Sequence, residues 1–243
     1  MNPKGRTRGW MHSAAVATFH PAAYQHFTEG IERSAAQDLA GAAASYRKAV
    51  ELVPGFGPAW CNLGIVLSSM GQDDAALRCL EKPLSFDDQD TESIKAMGMV
   101  LMRLGRIEEA VACLDRGIET DPGDADIALK KGYVLLNAGD LVAAVRAFSR
   151  AIAIDPRNHA AWGNRGVAYE GQDRTPEALS DYHKATVLNR DYALAWRNKG
   201  QLLLQLGRLE EAQESLTCAL RLSPDHPATS RDLATCQQLL RAD

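Results

Sequence analysis

Apolar residues along this chain recur at intervals of three and four, the spacing that places side chains on one face of an α-helix. Residues 159–192 contain two such stretches, separated by a break near residues 171–175. The stretches carry Ala161, Trp162, Asn164, Gly166 and Tyr169, then Ala178, Leu179, Tyr182, Ala185 and Leu188. The pattern predicts two amphipathic helices joined by a short turn.

This helix pair returns with a constant period of 34 residues, which indicates a repeat array rather than a fold with one central core. We number each repeat from the residue seven before its glycine, so that the glycine is at position 8. The period is carried by Gly30, Gly64, Gly98, Gly132, Gly166 and Gly200, and by Ala42, Ala76, Ala110, Ala144, Ala178 and Ala212. Six repeats then follow one another without a gap, at residues 23–56, 57–90, 91–124, 125–158, 159–192 and 193–226.

Small residues and turn residues have distinct expected roles in each repeat. We expect Gly166 and Ala178 to lie where the two helices of one repeat approach closely, because larger side chains would force the helices apart. Turn glycines end the first helices in a left-handed conformation, which costs glycine no steric clash. They are Gly71, Gly105, Gly139 and Gly207, and Asp173 stands at this place in the fifth repeat. Pro83 lies inside the second helix of the second repeat, so we expect that helix to kink or end early.

The two ends of the chain complete the predicted array. Residues 227–243 predict a capping helix, with Leu233, Cys236 and Leu240 on its apolar face. Residues 1–22 are basic and contain no acidic residue. Two interpretations of this segment stay open: a basic arm or partial capping helix, and an organelle transit segment.

The order of these residues resembles the tetratricopeptide repeat. Matching residues are Trp60, Leu63, Gly64, Ala76, Leu80 and Pro54; Trp162, Gly166, Tyr169, Ala178, Tyr182 and Pro156; and Trp196, Gly200, Ala212, Ala219 and Pro224. The resemblance covers six times 34, or 204, of the 243 residues. It implies an all-α, right-handed superhelical solenoid of helix-turn-helix units with a C-terminal capping helix. It also implies a protein-interaction scaffold or adaptor, with the tryptophans filling the space between repeats.

Composition narrows the function classes. The net charge of −4 disfavours nucleic acid as a partner, and no apolar run approaches the ~20 residues of a membrane-spanning helix. Five cysteines without a C-x-x-C pair argue against a disulfide framework or a zinc site, so we expect reduced thiols in a cytoplasmic protein. The histidines lack the H-E-x-x-H spacing, and phosphate-binding and nucleophile-elbow motifs are absent from the sequence. We therefore predict no catalytic residues, no metal and no cofactor, and a protein that is not an enzyme.

The resemblance also implies where a partner binds, because contacts in this family come from positions 2, 5, 6, 9, 12 and 13 of each first helix. Position 9 is apolar in five of the six repeats, which predicts an apolar groove for a peptide or helical segment. The middle of that groove would combine Met99 and Met102 with Leu129, Tyr133 and Leu136. The candidate partner-binding residues are Ile65, Lys95, Met99, Met102, Leu129, Lys130, Tyr133, Leu136, Asn164, Arg197 and Asn198.

Three alternatives remain at this stage. The groove residues could instead pack against neighbouring helices or the N-terminal arm. The chain could be an assembly subunit that self-associates into a homo-oligomer or docks through its terminal repeats. A carboxylate clamp for chaperone tails, known in the family, is disfavoured because Lys95 is followed by Met99 rather than asparagine, and Lys130 stands where another asparagine is needed.

Overall fold

The computed structural model describes Val16 and residues 19–242. Within residues 19–242 the chain forms thirteen α-helices and no strand, which confirms the predicted all-α class. We label them α1 to α13 in chain order. Their bounds are Pro21–Ala35, Leu39–Leu52, Gly57–Ser69, Asp73–Phe86, Thr91–Arg103, Ile107–Thr120, Ala125–Asn137, Leu141–Ile154, His159–Glu170, Thr175–Leu188, Ala193–Gln205, Leu209–Leu222 and Pro227–Ala242.

The chain forms two compact units, Met1–Pro122 and Gly123–Asp243, here called the N-terminal and C-terminal units. Helices α1 to α6 form three pairs in the N-terminal unit, and α7 to α12 form three pairs in the C-terminal unit. In each pair the first helix packs on the second, and within a unit each second helix packs on the first helix of the next pair. The helix-pair repeat predicted from the 34-residue period is therefore confirmed.

The glycine at position 8 of each repeat is where its two helices touch. A Cβ added to Gly132 would lie 2.4 Å from the Phe148 ring, and one added to Gly166 would lie 2.7 Å from the Tyr182 ring. The same close approach occurs in all six repeats, always to the side chain sixteen residues later: Tyr46, Leu80, Leu114, Phe148, Tyr182 and Leu216. Helix approach therefore depends on the missing side chain, as the sequence predicted for Gly166.

The turn between the two helices of a repeat uses a left-handed residue in every repeat. The four predicted turn glycines have φ between +70° and +80°. Asp173 takes the same conformation with φ of 59°, and Gln37 does so in the first repeat with φ of 62°. The turn therefore keeps the same shape where the glycine is missing, although a left-handed backbone is less favourable for Gln37 and Asp173 than for glycine.

Helix α4 does not end early, so that part of the prediction was wrong, and the alternative of a kink stays a prediction. It runs for 14 residues from Asp73 to Phe86 with Pro83 inside, as long as the other second helices. The Asp87 amide still donates to the Pro83 carbonyl, which closes the last turn. Pro83 is buried, so packing holds the helix together where the proline removes one backbone hydrogen bond.

Helix α13 covers the end of the last repeat, as the capping prediction requires. Cys236 is fully buried in a cluster with Leu203, Leu209 and Leu216, and Leu233 and Leu240 pack against that cluster. The Cys236 thiol also lies 3.1 Å from the Leu209 carbonyl oxygen, to which it donates. The predicted apolar face of this helix is therefore the one that packs on the repeat array.

Candidate functional site

First helices present the surface on which the sequence places partner binding. We call the exposed sides of α1, α3 and α5 the first-helix face of the N-terminal unit. The first-helix face of the C-terminal unit consists of the exposed sides of α7, α9 and α11. Neighbouring first helices touch, α3 with α5 and α9 with both α7 and α11, so side chains from successive repeats meet on each face.

In the C-terminal unit, position 9 of the fourth repeat bonds to position 6 of the fifth. Asn164 is only 5% exposed, and its side-chain amide donates to the Tyr133 hydroxyl at 2.9 Å and to the Ala160 carbonyl at 2.6 Å. Tyr133 also packs edge-on against the Phe148 ring. Tyr192 lies beside this pair, and burial raises the pKa of its hydroxyl to about 12. Two predicted partner-binding residues, Tyr133 and Asn164, are thus engaged by the chain itself.

The capping helix occupies the same positions on α11. Gln201 at position 9 donates to the Asp232 carboxylate at 2.7 Å. Arg197 at position 5 lies 2.7 Å from the ring nitrogen Nε2 of His226. The predicted contact residue Arg197 therefore already has a polar partner at the start of α13.

The N-terminal unit differs because position 9 is an isoleucine in its first two repeats. Ile31 and Ile65 are 44% and 46% exposed, since an aliphatic side chain cannot form the polar pair seen in the C-terminal unit. Asn62 at position 6 lies between them, and its amide donates to the Tyr46 hydroxyl at 3.4 Å. A pocket of about 360 Å³ opens there, lined by Ile31, Ser34, Ala35, Tyr46, Asn62, Ile65 and Val66.

A second pocket of about 370 Å³ adjoins the first and shares Asn62 and Ile65 with it. Its other side is acidic, formed by the loop before α5 and the first turn of that helix. Burial raises the pKa of the Asp90 carboxyl there, and it raises the pKa of the Cys61 thiol to about 11. The lining consists of Pro58, Cys61, Asn62, Ile65, Asp87, Gln89, Asp90, Thr91 and Glu92.

The remaining predicted residues of the N-terminal unit lie on α5. Lys95 is only 7% exposed, and its ammonium group lies 2.6 Å from the Glu92 carboxylate. Met99 and Met102 are half-buried. The aliphatic stem of Lys95 is thus enclosed, whereas the two methionines keep part of their surface accessible.

The remaining predicted residues of the C-terminal unit lie on α7 and α11. Leu129 packs against a core cluster that contains Ala128, Ala151 and Ile152. The Lys130 ammonium lies 3.5 Å from the Asp126 carboxylate, and Leu136 and Asn198 are half-buried. The apolar middle predicted for the groove draws on residues of both units and stays a prediction.

Sequence reasoning left out Ile31, Asp87 and Asp90, which line the two pockets of the N-terminal unit. The signal for Ile31 was present in the sequence. Position 9 and the following position 6 are 31 residues apart, and a side-chain hydrogen bond between them needs polar residues at both places. The acidic loop gave no such signal, because its placement depends on how α5 packs beside α3.

Two other kinds of site are absent from the described part of the chain. Among residues 19–242, no three His, Cys, Asp or Glu side chains lie close enough together to hold a metal ion. In the same residues, no helix has the length and apolar character needed to cross a lipid bilayer. All five cysteines are free thiols.

Comparisons with known proteins agree with the helix-pair repeat. A family model described as tetratricopeptide repeat matches residues 95–159, 129–185 and 164–227, which together exceed half of the chain. A second tetratricopeptide repeat model matches residues 45–78. No curated protein matches the sequence significantly.

Solved structures are similar over most of the chain. A chain of the APC/C hetero-tetramer Cut9-Hcn1 has a TM-score of 0.74 at 22% identity, over 92% of this chain. This chain spans 44% of that one, less than half its length. The pilF protein of Pseudomonas aeruginosa has a TM-score of 0.72 at 17% identity, over 90% of this chain and 97% of its own. YrrB, described as a TPR protein with an unusual peptide-binding site, has a TM-score of 0.54 at 26% identity, over 77% and 96%.

Proposed function

Because the chain belongs to the tetratricopeptide repeat family, whose fold supports a protein-interaction scaffold, we propose that it is a non-enzymatic adaptor for a partner protein. A peptide or helical segment of the partner binds the first-helix face through apolar contacts. The observation that carries this proposal is the pair of exposed isoleucines, Ile31 and Ile65, beside two adjoining pockets.

The chemistry of the N-terminal unit favours an apolar anchor in the ligand. Covering one isoleucine side chain yields roughly 1.5–3 kcal/mol, and ordering the bound segment offsets part of that gain. Two isoleucines supply about 3–6 kcal/mol before that cost, so micromolar affinity, which needs about 8 kcal/mol, requires further contacts along the face. YrrB, which its description assigns a peptide-binding site, supports a peptide as the class of ligand.

The other candidate residues extend this proposal along the first helices. Met99 and Met102 are half-buried apolar residues of α5, and Leu136 is a half-buried apolar residue of α7. Tyr133 is a poor choice for testing the face, because replacing it also removes the partner of Asn164 and the edge contact with Phe148. Ile31 and Ile65 are better choices because they are exposed and support no buried neighbour through a polar pair.

The test uses the full chain as bait in an extract of the native source, with mass spectrometry of the bound proteins. The I31E/I65E variant should lose a defined set of proteins that the wild-type chain retains. The matched control is V142E/V187E, because Val142 and Val187 are 57% and 58% exposed but lie on second helices. Equal recovery by wild type and I31E/I65E, with matching circular dichroism spectra, would refute the proposal.

A further inference from the structure

A third pocket lies away from the first-helix face, on the side formed by the second helices of the N-terminal unit. It has a volume of about 390 Å³ and opens between α2 and α4. Its floor is apolar, because Leu63 and Leu67 of α3 line it and are each only 2% exposed. Trp60 forms one wall and is half-buried.

The rim of this pocket is positively charged. Arg47, Arg78 and Lys82 line it, and Glu51 is the only acidic residue in the lining. All four are exposed. Within residues 19–242, none of the three cations forms an ion pair. They lie close to the Cys79 thiol, whose pKa is raised by burial and lowered to a lesser extent by these three charges.

Two repeats of the C-terminal unit show how the equivalent place can be filled. All three tryptophans at position 4 are held alike: the ring N–H of Trp60, Trp162 or Trp196 donates to the backbone carbonyl six residues earlier, at 2.8–2.9 Å. A cation three residues later covers the ring in two of them. Arg165 lies 4.8 Å from the Trp162 ring centre, and Lys199 lies 5.3 Å from that of Trp196.

Around Trp162 the filling also includes a carboxylate. Arg165 donates to both Asp181 oxygens, at 2.7 and 2.9 Å, and to the Ser149 hydroxyl at 3.0 Å. The Asp181 side chain is 4% exposed, so the pair is enclosed by the chain. A pocket at this place in the repeat therefore accommodates an acid–cation pair against an aromatic ring.

The N-terminal unit has the cations and the tryptophan ring but no carboxylate in the place of Asp181. Leu63 stands in the place of Arg165, Cys79 in that of Asp181 and Arg47 in that of Ser149, each 102 residues, or three periods, earlier. In the described residues, no cation lies over the Trp60 ring. The space is left open, with an apolar floor and an excess of positive charge at its rim.

We propose that this pocket, defined by Arg47, Trp60, Leu63, Arg78 and Lys82, binds an acidic peptide segment of a partner protein that carries an apolar side chain. The apolar side chain packs on Leu63 and Trp60, and flanking carboxylates pair with the rim cations. This gives the adaptor a second docking surface that differs from the first-helix face in position and in charge.

Another pocket of the N-terminal unit lacks the excess positive charge found around Trp60. It is lined by Glu81, Arg106, Glu109 and Arg116 among other residues, so its charges balance. Arg106 and Glu109 also pair with each other at 2.7 Å. Nucleic acid is a poorer occupant of the Trp60 pocket, because binding a phosphate backbone needs a longer run of cations than three around one cavity.

The test measures calorimetric titration of the full chain with a short synthetic peptide in which leucine alternates with glutamate. A peptide with lysine in place of every glutamate is the ligand control. The R78E/K82E variant should bind the acidic peptide about tenfold or more weakly than wild type. The control variant R146E/K184E reverses exposed cations at the same two positions of the fourth and fifth repeats and should bind like wild type.

Tryptophan fluorescence locates the ligand independently. The acidic peptide should change the tryptophan emission of the wild-type chain but not that of the W60F variant. The I31E/I65E variant should bind the acidic peptide as tightly as wild type, whatever its effect on binding at the first-helix face. Equal binding of the lysine peptide, equal weakening by R146E/K184E, or an emission change that persists in W60F would each overturn the proposal. Tighter binding of a single-stranded oligonucleotide to the same cations would overturn it as well.

Discussion

At the residue scale, the first-helix faces are shaped by pairs of side chains that lie 31 residues apart. Tyr133 with Asn164 forms a hydrogen bond between the first helices α7 and α9, and Gln201 with Asp232 forms one between α11 and the capping helix α13. Ile31 faces Asn62 and forms no such bond, and it remains 44% exposed. A polar side chain at position 9 can thus bond to a neighbouring helix, whereas Ile31 leaves apolar surface accessible.

Gly132 provides a stability test in which two effects have opposite signs. Helix propensity alone predicts that Gly132→Ala stabilises the protein by about 1 kcal/mol. We expect destabilisation by about 1–3 kcal/mol instead, because the new Cβ would lie 2.4 Å from the Phe148 ring. Urea unfolding followed by circular dichroism measures the difference, and a variant more stable than wild type would contradict the packing account.

Cys61 provides a test of pH dependence beside the candidate site. Burial raises its pKa to about 11, so the reactive thiolate is scarce at neutral pH and increases as pH rises toward that value. Iodoacetamide labelling read by peptide mass spectrometry should therefore be slow at pH 7 and accelerate steadily up to pH 10. Labelling at pH 7 as fast as that of a free thiol in urea would show that Cys61 is not enclosed.

The sequence was sufficient to predict a residue's contact where both residues belong to the same repeat. Gly166 against Tyr182 follows from the spacing alone, because every repeat places the same two positions together. Asn164, a predicted partner-binding residue, is buried and donates to the Tyr133 hydroxyl, a contact that depends on which residue is at the previous position 9. The sequence lists both residues but does not show which neighbours meet across helices.

At the element scale, α4 tests how far packing overrides local preference. Pro83 leaves the Cys79 carbonyl without its usual helical partner, yet α4 is as long as the other second helices. The prediction of early termination considered only the backbone. Burial of the Pro83 ring and the hydrogen bond from the Asp87 amide stabilise the last turn of α4.

Replacing Pro83 should therefore increase stability. In Pro83→Ala the new amide can donate to the Cys79 carbonyl, and the regained bond and relieved clash are worth about 3 kcal/mol. Loss of buried ring carbons offsets roughly 2 kcal/mol of this, which leaves a net gain of about 1 kcal/mol. Thermal unfolding measures the change.

Pro176→Ala is the matched control for this prediction. Pro176 lies in the first turn of α10, where a proline removes no helical hydrogen bond, so its replacement should leave the unfolding temperature nearly unchanged. If the two variants shift the unfolding temperature equally, the interior position of Pro83 has no special cost.

At the scale of the whole molecule, the array is built of local contacts, and its last repeat depends on α13. This helix covers the cluster of Leu203, Leu209 and Leu216 and provides Asp232 as the polar partner of Gln201. His226, the residue just before the helix, is the partner of Arg197. The capping helix was predictable because its apolar spacing continues the repeat pattern. Its polar contacts were not, since they require the first residues of α13 to lie beside positions 5 and 9 of α11.

Deleting residues 227–243 should destabilise the C-terminal unit by roughly 3–6 kcal/mol, from uncovering about two apolar side chains of 1.5–3 kcal/mol each. Hydrogen exchange measured by mass spectrometry should show faster exchange in α11 and α12. Helices α1 to α4 provide the internal reference, because their contacts lie within the N-terminal unit and should keep their exchange rates. Unchanged exchange in α11 would mean that α13 is not a stabilising cap.

The 31-residue pairs of the first-helix faces also offer a means of engineering. Because each pair consists of two side chains, an accessible place can be closed by installing a bonding pair, such as Ile31→Tyr opposite the existing Asn62. An occupied place can be opened by an aliphatic substitution at Tyr133. Binding surface can thus be relocated along the scaffold one repeat at a time while the glycine contacts that hold each helix pair together are left untouched.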